Sequence, residues 1–199
     1  MAWFILGLVL FLGSHSVRVF ADNWRAKRLA QWGEKFYKGI YSVTSLAGFV
    51  LMVYGFSAIR WDSPMLWVPP TGMRHLAALL MLLALVLLVA SQVPNNAIKA
   101  KLRHPMVLSV KVWALAHLLS NGKAADVVLF GAFLLWAMLN FRAARQRDRL
   151  AALDAPSDLA PPVVSMSNTW LVVLVGVAAW AILLFGGHRW LFGVSPLGM

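Results

Sequence analysis

The feature that most limits what this chain can fold into is a series of apolar runs, each about as long as a bilayer is thick, separated by short basic gaps. They fall near residues 2–20, 39–59, 74–93, 105–121, 124–141 and 168–187. About 20 residues of helix cross a hydrocarbon layer. No water reaches the backbone there, so each run must satisfy its own peptide groups, which favours helices. The expected fold is all-α: a polytopic membrane helix bundle with about six transmembrane helices. The run "LAALLMLLALVLLVA" (76–90) is apolar on every side, as a lipid-facing span should be. The fourth run is shorter and dotted with polar residues. Pro105 suits the first turn of its helix. Asn121-Gly122 predicts a tight turn, making the fourth and fifth runs an antiparallel hairpin.

Composition agrees. Apolar residues make up 61% of the 199 and charged residues only 13%, where a soluble domain carries about 25% charged. The absence of cysteine excludes disulfides, thiolate metal sites and cysteine-ligated iron–sulfur clusters. Ten tryptophans suit interfacial belts. The net charge of +11 is read as membrane topology rather than nucleic-acid binding, because the basic residues cluster in gaps between apolar runs.

Those gaps alternate. Arg18, Arg25, Lys27, Arg28, Lys35 and Lys38 occupy the first, Lys99, Lys101 and Arg103 the third, and Arg142, Arg145, Arg147 and Arg149 the fifth. The other side receives Arg60, Arg74, Lys123 and Arg189. The positive-inside rule puts the larger group in the cytoplasm and both termini outside. The expected location is a bacterial inner (cytoplasmic) membrane. The first run lacks a positive segment before it and is expected to remain a span rather than a cleaved signal peptide. The expected organisation is a five-helix membrane core over 1–141, a basic, Pro-containing cytoplasmic linker over 142–166, and a sixth helix with a tail over 167–199. No soluble domain is large enough to bury a core of its own.

Chemistry must then lie in the membrane or at its faces, where a buried polar group needs a partner. His15, Arg18, Asp22 and Arg25 are spaced three, four and three, which would put them on one helix face. Such a face could ligate haem iron and pair with its propionates. The spacing alone favours a simpler set: a snorkelling arginine, an Arg–Asp pair beyond the lipid and a histidine bonded to a neighbouring helix. In "HPMVLSVKVWALAHLLSNG" (104–122), His104 and Lys111 share a face, and Trp113, His117 and Asn121 share another. Lys111 can snorkel to the cytoplasmic interface, and His117 lies deep. His117 and Asn121 could instead bond between helices.

With no cysteine, His15, His75, His104, His117 and His188 are the candidate metal ligands. No HExxH, Walker, dinucleotide or serine-elbow motif appears. Haem held by histidines on two helices fits an all-helical membrane protein. On the expected topology His15 and His104 lie toward the cytoplasm, whereas His75, His117 and His188 lie toward the outside. Depth alone would pair His15 with His104, or His75 with His117. A transporter reading would use Gly48, Gly55 and Gly186-Gly187 for close packing or a helix break, but no internal repeat supports it.

"GSHSVR" (13–18), "GEKFYKGIYSVTSLAGFVLMVYG" (33–55), the 104–122 stretch and "ADVVLFGAFLLWA" (125–137) together resemble the NnrU family of bacterial membrane proteins. That resemblance implies a link to denitrification, through expression or activity of nitrite and nitric oxide reductases. The family is also similar to plant 15-cis-zeta-carotene isomerase, a membrane haem b protein. Its motifs match His15-Ser16, His104-Pro105 and Ala116-His117. The resemblance implies haem b, with His15 and His117 as axial ligands and His104 nearby or alternative. Arg18 and Arg25 would meet the propionates, and Tyr37, Tyr41, Lys111 and Trp113 would line the pocket. A haem-dependent isomerase activity rests on the resemblance alone. The isomerase's cysteine just before the Ala-His pair is missing here, since Val112, Trp113, Ala114 and Leu115 fill that stretch. Expected partners are the lipid bilayer and respiratory or denitrification proteins, or an assembly role without haem; nucleic acid is not among them.

Overall fold

A computed structural model describes residues 1–154 and 163–198. The chain is an all-α polytopic helix bundle. Its helices are α1 (Ala2–Phe20), α2 (Asp22–Trp32), α3 (Glu34–Ile59), α4 (Thr71–Gln92), α5 (Ala97–Leu102), α6 (Pro105–Ser120), α7 (Ala124–Leu153), α8 (Met166–Ile182) and α9 (His188–Phe192). Leu183–Gly187 joins α8 to α9 through a kink at Gly186, whose backbone is non-helical (φ 171°, ψ −37°). Five stretches are long and apolar enough to cross a membrane: α1, α3, α4, α7 and the continuous segment Met166–Phe192. The sixth expected span, α6, has 16 residues. At 1.5 Å per residue it is about 24 Å long, short of a hydrocarbon layer of about 30 Å.

The chain divides into two compact units. The first holds Met1–Leu66 and Lys123–Ala132. Within it α1 lies antiparallel to α3. Gly55 faces the backbone of Phe4, Gly7 that of Met52, and Gly48 that of Phe11, so the pairs run in opposite directions. A Cβ at Gly48 would come within 2.6 Å of the Phe11 amide nitrogen, and one at Gly55 within 2.6 Å of the Phe4 Cα. Small residues are what let membrane helices approach this closely. Aromatic rings fill the flanks, with Phe4 and Phe56 at 5.7 Å and Phe11 and Phe49 at 6.0 Å. At the far end of α3, the Lys123 ammonium donates to the carbonyls of Arg60 (3.1 Å) and Trp61 (2.7 Å). The Ala125 amide donates to Ser63 Oγ at 2.8 Å. Side chains thus serve one helix end each.

The second unit holds Trp67–Gly122 and the chain from Phe133 onward. There α4 packs against α6 and antiparallel to α8. Asn168 Nδ2 donates to the Pro94 carbonyl (3.0 Å) at one end of the α4–α8 pair, and Trp180 Nε1 donates to the Ala78 carbonyl (2.8 Å) toward the other. Ser109 Oγ, buried, donates to the Ala84 carbonyl of α4 at 2.7 Å. Pro94 ends α4 by holding Val93 extended. The fully buried Asn96 side chain then secures the turn. Its Nδ2 donates to the carbonyls of Ala90 (3.0 Å) and Val93 (2.7 Å), and its Oδ1 accepts from the Lys99 amide (2.8 Å) as the α5 N-cap. The antiparallel relation of α6 and α7 is seen here too: Trp113 meets Phe133 and His104 meets Phe141.

Two further sequence expectations change. The single face of His15, Arg18, Asp22 and Arg25 does not exist, because the helix breaks at Ala21 (φ −140°, ψ 42°). Asp22 sits in the first turn of α2, where a carboxylate complements the helix dipole. The helix of the fifth run continues past residue 141 to Leu153. Its extension, rich in Ala and Arg with no Gly or Pro, has high helix propensity. Residues 155–162, the Pro-containing part of the expected linker, lie outside the described residues.

Two substitutions test this packing. Gly55→Leu should destabilise the protein by about 1–3 kcal/mol, the usual cost of overpacking, when thermal unfolding in detergent is followed by circular dichroism. Gly39→Leu on the same helix, where an added Cβ meets nothing within 4 Å, should not destabilise it; equal losses for both would contradict the close α1–α3 contact. Asn96→Ala should cost about 1–3 kcal/mol, because it strands buried carbonyls and removes a cap. An unchanged melting curve would contradict that role.

Candidate functional site

In the first unit, "GSHS" lies near the end of α1, where its polar side chains turn back onto their own helix. Ser14 Oγ and His15 Nδ1 both meet the Phe11 carbonyl, at 2.8 and 2.7 Å, and Ser16 Oγ donates to the Leu12 carbonyl at 2.6 Å. This is the usual way short polar side chains are satisfied within a helix. The half-buried His15 ring lies against Phe11 (4.4 Å between centroids) and meets Tyr41 edge-on at 5.4 Å. Arg18, one turn further, is exposed. Arg25 forms a 3.5 Å ion pair with Asp22 in α2.

In the second unit, α6 presents two faces, as its spacing predicts. One carries His104 and Lys111, and Phe141 of α7 lies between them. The His104 ring meets it edge-on at 6.3 Å, and the Lys111 ammonium is 5.8 Å from its centre. His104 also reaches Asp148, 44 residues on, with Nε2 at 3.0 Å from Oδ2. A carboxylate only accepts, so Nε2 carries the hydrogen. Arg103 and Arg145 approach the same oxygen at 3.6 and 4.0 Å. Burial raises the Asp148 carboxyl, but the His104 hydrogen bond and the charges of His104, Arg103 and Arg145 outweigh it and hold the group below its ordinary range. This cluster ties the start of α6 to the charged extension of α7.

The other face carries Trp113, His117 and Asn121 as a ladder along one helix. His117 Nδ1 donates to the Trp113 carbonyl and Asn121 Nδ2 to the His117 carbonyl, both at 2.9 Å. These bonds stay within α6 and its cap. The Trp113 ring lies 5.2 Å from His117 and 5.4 Å from Phe133.

The residue that sequence reasoning left without a partner is His188. It opens α9, immediately after Gly186-Gly187, and its ring lies 6.5 Å from that of His117 at an interplanar angle of 29°. Its Nδ1 donates to the Val194 carbonyl at 2.7 Å, and Phe192 packs on it at 4.9 Å. The sequence carries part of this signal, since its alternating basic gaps put His117 and His188 toward the same side of a membrane. His75 is exposed.

Three histidines therefore share one arrangement. In His15, His117 and His188 the Nδ1 hydrogen is held by a backbone carbonyl, which fixes the neutral ring in the tautomer whose lone pair is on Nε2. Metal-ligating histidines are typically oriented through the second ring nitrogen in this way. His104 differs, because its Nε2 is the nitrogen engaged by Asp148. Among the described residues no group of three or more His, Cys, Asp or Glu side chains could hold a bare metal ion.

No curated protein and no solved structure matches the chain. A family model described as "NnrU protein" matches residues 3–196. That span takes in α1 through α9, both histidine-bearing units and the glycine-packed α1–α3 pair, and the chain belongs to the NnrU protein family.

Proposed function

We propose that this membrane protein binds haem b with His117 as an axial ligand, and that it serves denitrification by supporting nitrite and nitric oxide reductases. The observation that carries the haem reading is the pair of imidazoles in the second unit. His117 and His188 each have Nδ1 held by a carbonyl, and their ring centroids are 6.5 Å apart. Haem needs few donors from the chain, and His117 and His188 would hold its iron through Nε2.

When bound, haem supplies a redox-active iron whose potential depends on its axial ligands and surroundings. The chain's own residues do the rest. The Trp113 and Val194 carbonyls orient the two rings and raise their basicity. Trp113, Phe133 and Phe192 give His117 and His188 an apolar, aromatic setting. Arg18 and Lys111 are proposed to meet anionic groups of the cofactor. His15 is proposed as an iron ligand by family resemblance, and its Nδ1 is held by a carbonyl in the same way. His104 is left out of the ligand set, because its Nε2 hydrogen is given to Asp148.

The basic gaps support a bacterial inner-membrane location with α6 as a sixth, shorter span, a cytoplasmic α7 extension and both termini outside. A zeta-carotene-isomerase-like activity is the enzymatic form of the haem reading. A second reading, an assembly factor without haem, is favoured by the α7 extension, where Arg142 and Arg149 stand exposed on a continuous helix.

Absorption spectra of detergent-purified protein, expressed with ample haem, decide between them. The haem reading predicts a Soret band in the wild type and its loss or a large shift in His117→Ala. The variant that copies that shift, His188→Ala or His15→Ala, identifies the second ligand. A wild-type protein with no Soret band, and none on added haem, would overturn the reading in favour of the assembly factor.

A further inference from the structure

Between α1 and α3 the chain forms a short helix that does not span. At 11 residues, α2 is about 16 Å long and far too polar to cross a bilayer. None of its residues is buried. It is bounded by the breaks at Ala21 and at Gly33, where φ is 78°. Because α1 and α3 are antiparallel, the end of α1 and the start of α3 lie at the same face of their pair, and α2 joins them there.

Its composition is specific. Lys27, Trp24, Arg28, Trp32 and Arg25 occupy one arc of the helix at 100° per residue, while Ala26, Leu29 and Ala30 lie on the other. The Arg28 guanidinium sits between two indoles, 5.7 Å from the Trp24 ring and 5.2 Å from the Trp32 ring. The Trp32 ring in turn meets Phe36 at 6.0 Å. The flanking acids are already matched, Asp22 with Arg25 and Glu34 with Lys38. Lys27 and Lys35 are exposed and make no ion pair among the described residues. The result is a surface of net positive charge on which Lys27, Lys35, Trp24 and Trp32 are exposed and Arg28 lies half-buried between the indoles. Indoles favour the headgroup level of a bilayer, and basic side chains there attract anionic lipid.

We propose that the exposed arc of α2, with Lys35, is a binding surface for the headgroups of anionic phospholipids, fixing the α1–α3 pair in depth and rotation at one face of the membrane. Lys27 and Lys35 supply the uncompensated charge. Arg28, held by Trp24 and Trp32, supplies a planar donor of the kind that pairs with phosphate oxygens. A short polar helix with indoles among its cations suits the headgroup level rather than the hydrocarbon layer. This surface is independent of whether the protein binds haem.

The test uses the full chain reconstituted in nanodiscs of phosphatidylcholine mixed with phosphatidylglycerol. Lipid retained after release is counted by native mass spectrometry. The wild type is expected to retain phosphatidylglycerol over phosphatidylcholine. The triple variant Lys27→Gln, Arg28→Gln, Lys35→Gln should lose that preference by about tenfold or more, given roughly a tenfold effect for every one to two basic residues near a membrane surface. A matched variant, Arg142→Gln, Arg147→Gln, Arg149→Gln, removes equal charge elsewhere and should retain most of it. Circular dichroism confirms that both variants are folded. Equal retention by the wild type and the α2 variant would overturn the proposal. So would an equal loss in the α7 variant, which would indicate net charge alone. An equivalent wild-type preference for inorganic phosphate in the absence of lipid would mark a free-anion site instead, and would also overturn it.

Discussion

Each peptide group in a hydrocarbon layer must find its hydrogen-bond partner within the protein. The α1, α3, α4, α7 and Met166–Phe192 stretches are long and apolar enough to cross such a layer, and helical bonding is their means of meeting that demand. Where helices end, side chains take over. Asn96 serves the end of α4 and the start of α5, Lys123 serves the carbonyls beyond α3, and Ser63 serves the start of α7. Packing meets the same constraint differently. Lipid tails offer no hydrophobic gain for bringing helices together, so contact depends on close fit. Gly7, Gly48 and Gly55 provide that fit between α1 and α3.

The same demand shapes the histidines. A buried imidazole must spend its N–H on an acceptor, and in a helix a nearby carbonyl can serve. His15 and His117 use the carbonyl four residues back, and His188 uses one six residues ahead. Each choice leaves the lone pair on Nε2. A requirement of the membrane fold thus also produces the tautomer that metal ligation needs. His104 takes the opposite course. Its proton goes to Asp148 from Nε2, where two arginines share the carboxylate. The four residues divide into potential ligands and a latch between helices on this chemistry alone.

Much of the fold was legible in the sequence because apolar length is a local property. The runs near 2–20, 74–93 and 105–121 correspond to α1, α4 and α6 within a few residues. The face shared by Trp113, His117 and Asn121 was also legible, because helical spacing sets it. The break at Ala21 was hidden, since "RVFADNW" contains no proline or glycine and periodicity continues through it. Contacts between distant residues were hidden for a different reason. Nothing local to His104 points to Asp148, and nothing local to His117 points to His188, 71 positions away. Depth placed the latter two toward one side, but only the packing of α6 with the segment after α8 brings their rings together.

The central claim is that His117 belongs to a haem site. Electron paramagnetic resonance of the oxidised, haem-reconstituted protein tests it most directly, together with iron and porphyrin analysis. The account predicts a stoichiometric, low-spin ferric signal of the kind given by two imidazole ligands, converted to a high-spin signal or lost in His117→Ala. A wild-type protein that retains no porphyrin after reconstitution, or a low-spin signal unchanged in His117→Ala, would contradict it.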